Sequence, residues 1–104
     1  MNPWEIFKHD NQIVEINFSF SQAVIIFSVE MYSELSKQYC AERVCFKGVK
    51  NLNIEKVDFA HLNEIEIGRC EINMNLKTFI LSGLTGFSKP SFDFAFEFDD
   101  VYSV

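Results

Sequence analysis

The fold class that the sequence predicts is mainly β, or β-rich α+β: an antiparallel meander forming a curved sheet or small sandwich, with at most two short helices. Three observations carry it. Residues 91–98 place Phe92, Phe94, Phe96 and Phe98 on one face of a strand and Ser91, Asp93, Ala95 and Glu97 on the other. The same period of two runs through residues 14–20, where Glu15, Asn17 and Ser19 alternate with apolar side chains. Finally, 12 Phe but only 4 Gly and 2 Pro in 104 residues suit one aromatic-rich globular domain and exclude collagen-like or linker-like chains.

Taken in order, residues 14–20 form the first strand, with one face on a core and one wet. Only Ser21 and Gln22 separate it from the next strand, so a tight hairpin is expected. Residues 23–30, with Val24, Ile25, Ile26 and Phe27, read as a central strand. Met31, Leu35 and Tyr39 recur every four, which leaves residues 31–40 as a helix, a helical turn or a long hairpin loop. Further strands are expected at 42–47, 52–55, 64–67, 71–74 and 77–81, with a second short turn at 59–62. Gly68 interrupts the run from 64 to 74, where a bulge or sharp bend is expected. Gly83, Gly86 and Pro90 mark the connection into the aromatic strand. No repeat at solenoid periods and no linker is visible, so residues 1–104 are read as a single domain.

Composition also excludes functions. The formal charge of −6 repels phosphates, which argues against nucleic acid and against an anionic membrane as partner. The longest apolar run, residues 23–27, is far shorter than the ~20 residues a spanning helix needs. Residues 1–10 show no basic segment followed by a long apolar stretch, so no signal peptide is expected. Cys40, Cys45 and Cys70 are odd in number and lack a C-x-x-C spacing, which predicts free thiols, no zinc site and a cytoplasmic location.

No catalytic apparatus is legible, and no cofactor or metal is expected. His9 and His61 lie far apart, and a Cys–His hydrolase pair would lack a nucleophile elbow or a glycine-rich oxyanion loop. Glu64 with Glu66, and Asp93 with Glu97, share strand faces. General acid–base work needs a carboxyl withdrawn from water, whereas these lie on the wet side. The Phe-rich inner faces also leave open a small β-clam that carries an apolar ligand, against ordinary core filling.

The charge is unevenly spread. Residues 41–56 hold a small basic excess around Arg43, Lys47 and Lys50. Glu64, Glu66, Glu71, Asp93, Glu97, Asp99 and Asp100 lie in two segments nearly free of Lys and Arg. A row of like charges costs stability unless a cationic partner neutralises it, so these seven are the candidate partner-binding residues.

The segment Phe46-Lys47-Gly48-Val49-Lys50-Asn51-Leu52-Asn53-Ile54-Glu55 resembles the pattern Phe-x-Gly-Val-x-x-Leu-x-Leu/Ile-Glu of the immunity protein 50 family, small β-rich proteins linked to bacterial polymorphic toxins. Asn63-Glu64-Ile65-Glu66-Ile67 is similar to that family's Asn-x-Ile-x-Ile stretch, and the aromatic strand at 92–98 also fits. The similarity runs from about residue 24 to the C-terminus. It implies a cytosolic antidote in contact-dependent inhibition, which binds a cognate toxin domain and blocks it by covering its active site. A toxin that cleaves RNA or DNA needs a basic cleft, so an acidic antidote suits a basic nuclease domain. No family site residues carry over, since the matching positions are structural.

Overall fold

The computed structural model describes residues 3–8, 11–55, 65–84 and 90–104. Among the described residues, eight antiparallel strands follow one short helix: α1 (Pro3–Ile6), β1 (Gln12–Ser19), β2 (Val24–Ser33), β3 (Gln38–Lys47), β4 (Lys50–Glu55), β5 (Ile65–Asn73), β6 (Thr78–Leu84), β7 (Pro90–Glu97) and β8 (Asp100–Ser103). The hydrogen-bonded order is β4-β7-β6-β5-β1-β2-β3-β8. Its β5–β1 link has only two register pairs, Gln12↔Glu66 and Ile13↔Ile65. The order therefore divides into two four-stranded sheets, β1-β2-β3-β8 and β4-β7-β6-β5.

Phenylalanine joins the sheets. Phe27 and Phe46 from the first face Phe79 and Phe96 from the second, with Phe46–Phe79 centroids 4.8 Å apart and Phe79–Phe96 4.9 Å apart. Phe94, Phe96 and Phe98 are all buried, as the alternation predicts. Such close rings make the centre a packed core, each burying a large apolar area. Helix α1 seats Phe7 among Phe27, Phe46 and Phe79. The Asn11 amide closes the helix end by donating to the Ile6 carbonyl at 2.9 Å.

Several expectations need correction. Residues 31–40 are neither helix nor long loop, because β2 and β3 run on to a four-residue turn at 34–37. Of the three residues spaced by four, Met31 lies on β2 opposite Cys40, Tyr39 lies on β3 opposite Tyr32, and Leu35 sits in the turn between them. The first hairpin turn takes four residues, 20–23, in place of two. Among the described residues the one helix lies at Pro3–Ile6, where no element was expected. Residues 65–67 and 71–73 of the segments expected at 64–67 and 71–74 belong to one strand, and the expected irregularity at Gly68 is a register shift between Ile67 and Arg69. The expected turn at 59–62 lies outside the described residues.

Nor is the chain one continuous meander. β1-β2-β3 and β5-β6-β7 are separate meanders, and each sends its following strand across to the other sheet: β4 pairs with β7, and β8 with β3. Over most of their length the two halves share one register. Ile13↔Val29 recurs as Ile67↔Gly83, Phe18↔Ile25 as Ile72↔Phe79, and Ser19↔Val24 as Asn73↔Thr78. The shift between Ile13 and Glu15 recurs between Ile67 and Arg69. Both hairpin turns end on a residue of positive φ, Ala23 at 54° and Lys77 at 56°. The carbonyls of these two residues accept from Val49 N–H and Phe98 N–H, each at 2.9 Å. Gln12 and Glu66 are counterparts that pair with each other, which puts a local two-fold axis between them. The fold is thus an internal duplication related by an approximate two-fold axis.

Candidate protein-interaction surfaces

Strand alternation that sends Phe94, Phe96 and Phe98 inward sends Asp93, Ala95 and Glu97 outward. Registered rows then build the outer face of the second sheet. One row runs Glu71, Ile80, Ala95, Asn53; the rows beside it pair Ser82 with Asp93 and Glu55, and Thr78 with Glu97 and Lys50. At the centre Ile80 remains 42% exposed. Glu71, Asp93, Glu97 and Glu55 frame it. An apolar centre inside a polar rim is the anatomy of a binding surface.

Of the seven acidic candidates, Glu71, Asp93 and Glu97 share this face. Asp99 lies on the crossing from β7 to β8, and Asp100 opens β8 in the other sheet, opposite Lys47. Glu64 lies outside the described residues, and of Glu66 the backbone alone is described. The last aromatic strand does not lie beside 64–71 as the acidic row requires: β6 intervenes between β7 and β5.

Nor is the face free of cations. Arg69 bonds to Glu71, which raises the guanidinium above its ordinary value through that hydrogen bond first and through charge second. Lys50 reaches Asp99 at 3.5 Å, and the Asn51 amide donates to Glu97. The Ser82 hydroxyl donates to Asp93 at 2.9 Å. Sequence reading missed Lys50 and Asn51 because they belong to the basic stretch, which the strand exchange delivers to the acidic sheet.

Two apolar surfaces also escaped sequence reading. The β2–β3 tip carries exposed Tyr32, Leu35 and Tyr39. At the end of the sandwich between the β1–β2 turn and β4 lies a cavity of about 230 Å³, walled by Phe18, Phe20, Val49 and Leu52. It lies at the rim, outside the Phe-rich centre. Phe18 stacks there on Phe94 at 6.0 Å.

The thiols sit in three settings. All three are free; Cys40 is exposed, Cys45 buried and Cys70 half-buried. Burial, with Glu71 second, pushes the Cys70 thiol up to about 12. A hydrogen bond with Cys45 pushes the Tyr102 phenol up. Alkylation of the folded protein at pH 8 is therefore expected at Cys40 first, with Cys45 and Cys70 reacting only on unfolding. Peptide mapping after timed labelling checks the order, and early labelling of Cys70 would contradict its setting. An unfolded thiol ionises near 9, so the Cys70 contribution to stability is full below that pH and declines as pH rises toward 12.

Both histidines lie outside the described residues, so the Cys–His reading has no geometry here. Among the described residues, no group of three or more His, Cys, Asp or Glu could hold a metal ion, and no helix is long and apolar enough to cross a membrane. Compared with known proteins, the chain matches no family model, no curated protein and no solved structure.

Proposed function

We propose that this chain is a cytosolic immunity protein that binds a cognate toxin domain and neutralises it by covering its active site, a basic nuclease domain being the partner its charge suits. The observation that carries the reading is the outer face of the second sheet, where Ile80 is framed by Glu55, Glu71, Asp93 and Glu97. A flat β surface of this kind opposes a cleft lined with Lys and Arg and offers an apolar anchor at its centre. The formal charge of −6 adds long-range attraction toward a basic domain. The resemblance of residues 46–55 to immunity protein 50 sequences supports the same reading.

The test takes a cognate toxin domain and measures association rate against ionic strength. Reversing Glu71 and Asp93 to Lys should slow association ~10-fold at low salt, the gap closing as screening grows. Equal rates for both proteins at every salt concentration would discard this face as the electrostatic determinant. Ile80→Asp separates the apolar anchor, since it should speed dissociation more than it changes the association rate.

A further inference from the structure

The internal duplication allows the two outer faces to be compared position by position, and their charges are reversed. Lys47 of β3 corresponds to Glu97 of β7, because Val24↔Lys47 recurs as Thr78↔Glu97. Arg43 corresponds to Asp93, each paired with a serine, Ser28 or Ser82. Glu15 corresponds to Arg69, directly after the shared bulge. Asp100, which pairs with Lys47, corresponds to Lys50, which pairs with Glu97. At every position where both copies carry a charged side chain in these rows, the sign is inverted. The centres, in contrast, are alike: Ile26 corresponds to Ile80 and Cys45 to Ala95.

From this juxtaposition we infer that the outer face of β1-β2-β3-β8 on one copy of the chain binds the outer face of β4-β7-β6-β5 on a second copy, head to tail. β3 and β7 hold the same place in their sheets, so stacking two copies sets β3 of one over β7 of the next. Lys47 and Arg43 then meet Asp93 and Glu97 whichever way along the strands they run. Lys47 and Arg43 are exposed and have no ion-pair partner among the described residues, so they are available for this contact. Ile26 and Ile80 supply the apolar centre, in the manner of two sheets packed face to face. The contact is heterologous, so each copy keeps one unused face and assembly is open-ended. Four strands at ~4.8 Å spacing give a face of roughly 20 Å by 20 Å, so about 800 Å² is buried in total, which places the association at the weak, reversible end. The inference does not depend on the toxin reading. It concerns the same carboxylate face, which a basic partner would occupy in competition with a second copy.

Sedimentation of the whole chain under reducing conditions tests it. At low ionic strength the average mass should rise above one chain as concentration goes from about 10 µM to about 1 mM, and fall back when salt is added. A strictly monomeric protein across that range, or association insensitive to salt, overturns the proposal. Two neutralising variants sharpen the test: Arg43→Gln with Lys47→Gln removes the cationic face, and Asp93→Asn with Glu97→Gln removes the carboxylate face. Each should be monomeric alone, while their equimolar mixture should stop at a dimer. A mixture that stays monomeric, or a single variant that associates like the wild type, refutes head-to-tail docking. Exchanging all four signs at once (Arg43→Glu, Lys47→Glu, Asp93→Lys, Glu97→Lys) leaves the net charge unchanged and should restore association. Circular dichroism confirms that each variant folds, and the wild-type salt series stands without any of them.

Discussion

Phe46→Ala is expected to destabilise the protein by about 3–5 kcal/mol, the range for deleting a fully buried ring. The Phe46 ring is wholly buried and touches Phe27 and Phe79 at 5.7 and 4.8 Å, with Phe96 and Phe98 both at 5.0 Å. Those rings come from both sheets, so the cavity left behind lies where the halves meet and neither sheet alone can close it. Small domains have little stability to spare, and a loss of this size approaches the whole margin. Urea unfolding, read at constant slope, measures it. Phe20→Ala is the matched control: that ring is 85% exposed and should change stability by less than about 0.5 kcal/mol. A Phe46→Ala midpoint equal to that of Phe20→Ala would mean that the aromatic centre is not packed as described.

Gly48→Ala has the second largest expected effect. Gly48 links β3 to β4 with φ at 70°, in the left-handed region, where a side chain costs roughly 1–2 kcal/mol. A Cβ there would also meet the Asp99 side chain, 2.6 Å from Cγ and 2.8 Å from Cβ. Asp99 is held close because its N–H donates to the Lys47 carbonyl at 2.8 Å. The substitution therefore combines backbone strain with displacement of Asp99 from Lys50, a solvent-exposed pair that contributes little itself. The two parts separate in a double-mutant cycle with Asp99→Gly, which should relieve the clash and leave the strain. If Gly48→Ala unfolds at the wild-type midpoint, the crossing between the sheets tolerates a side chain and the assignment of strain fails.

Much of the candidate surface was legible locally. Period two assigned Asp93 and Glu97 to the wet side of the strand whose other side buries Phe94 and Phe96, because successive side chains leave a strand on opposite faces whatever its neighbours are. What faces Glu97 across the sheet was not legible. Lys50 and Asn51 come to it through an exchange of strands between halves, a pairing that no short window encodes. Met31, Leu35 and Tyr39 show the opposite failure: a true local regularity, spacing by four, fits a helix and a paired hairpin equally, and only the pairing with its partner strand decides.

An antiparallel β domain, the inward face of its aromatic strand, the irregularity at Gly68 and an acidic balance are all legible from the residues alone. Each follows from local sterics, side-chain alternation or composition. The tertiary structure alone decided that β4 and β8 change sheets, that the two halves repeat each other, and that their outer faces carry opposite charges. The physical reason is that a sandwich constrains its inward positions and turns, where Ile13 and Ile67 or Phe46 and Phe96 still agree, while its wet positions accept any polar residue. Two halves can then diverge outside, from Lys47 to Glu97 and from Arg43 to Asp93, until the repeat survives in hydrogen-bond register and not in letters.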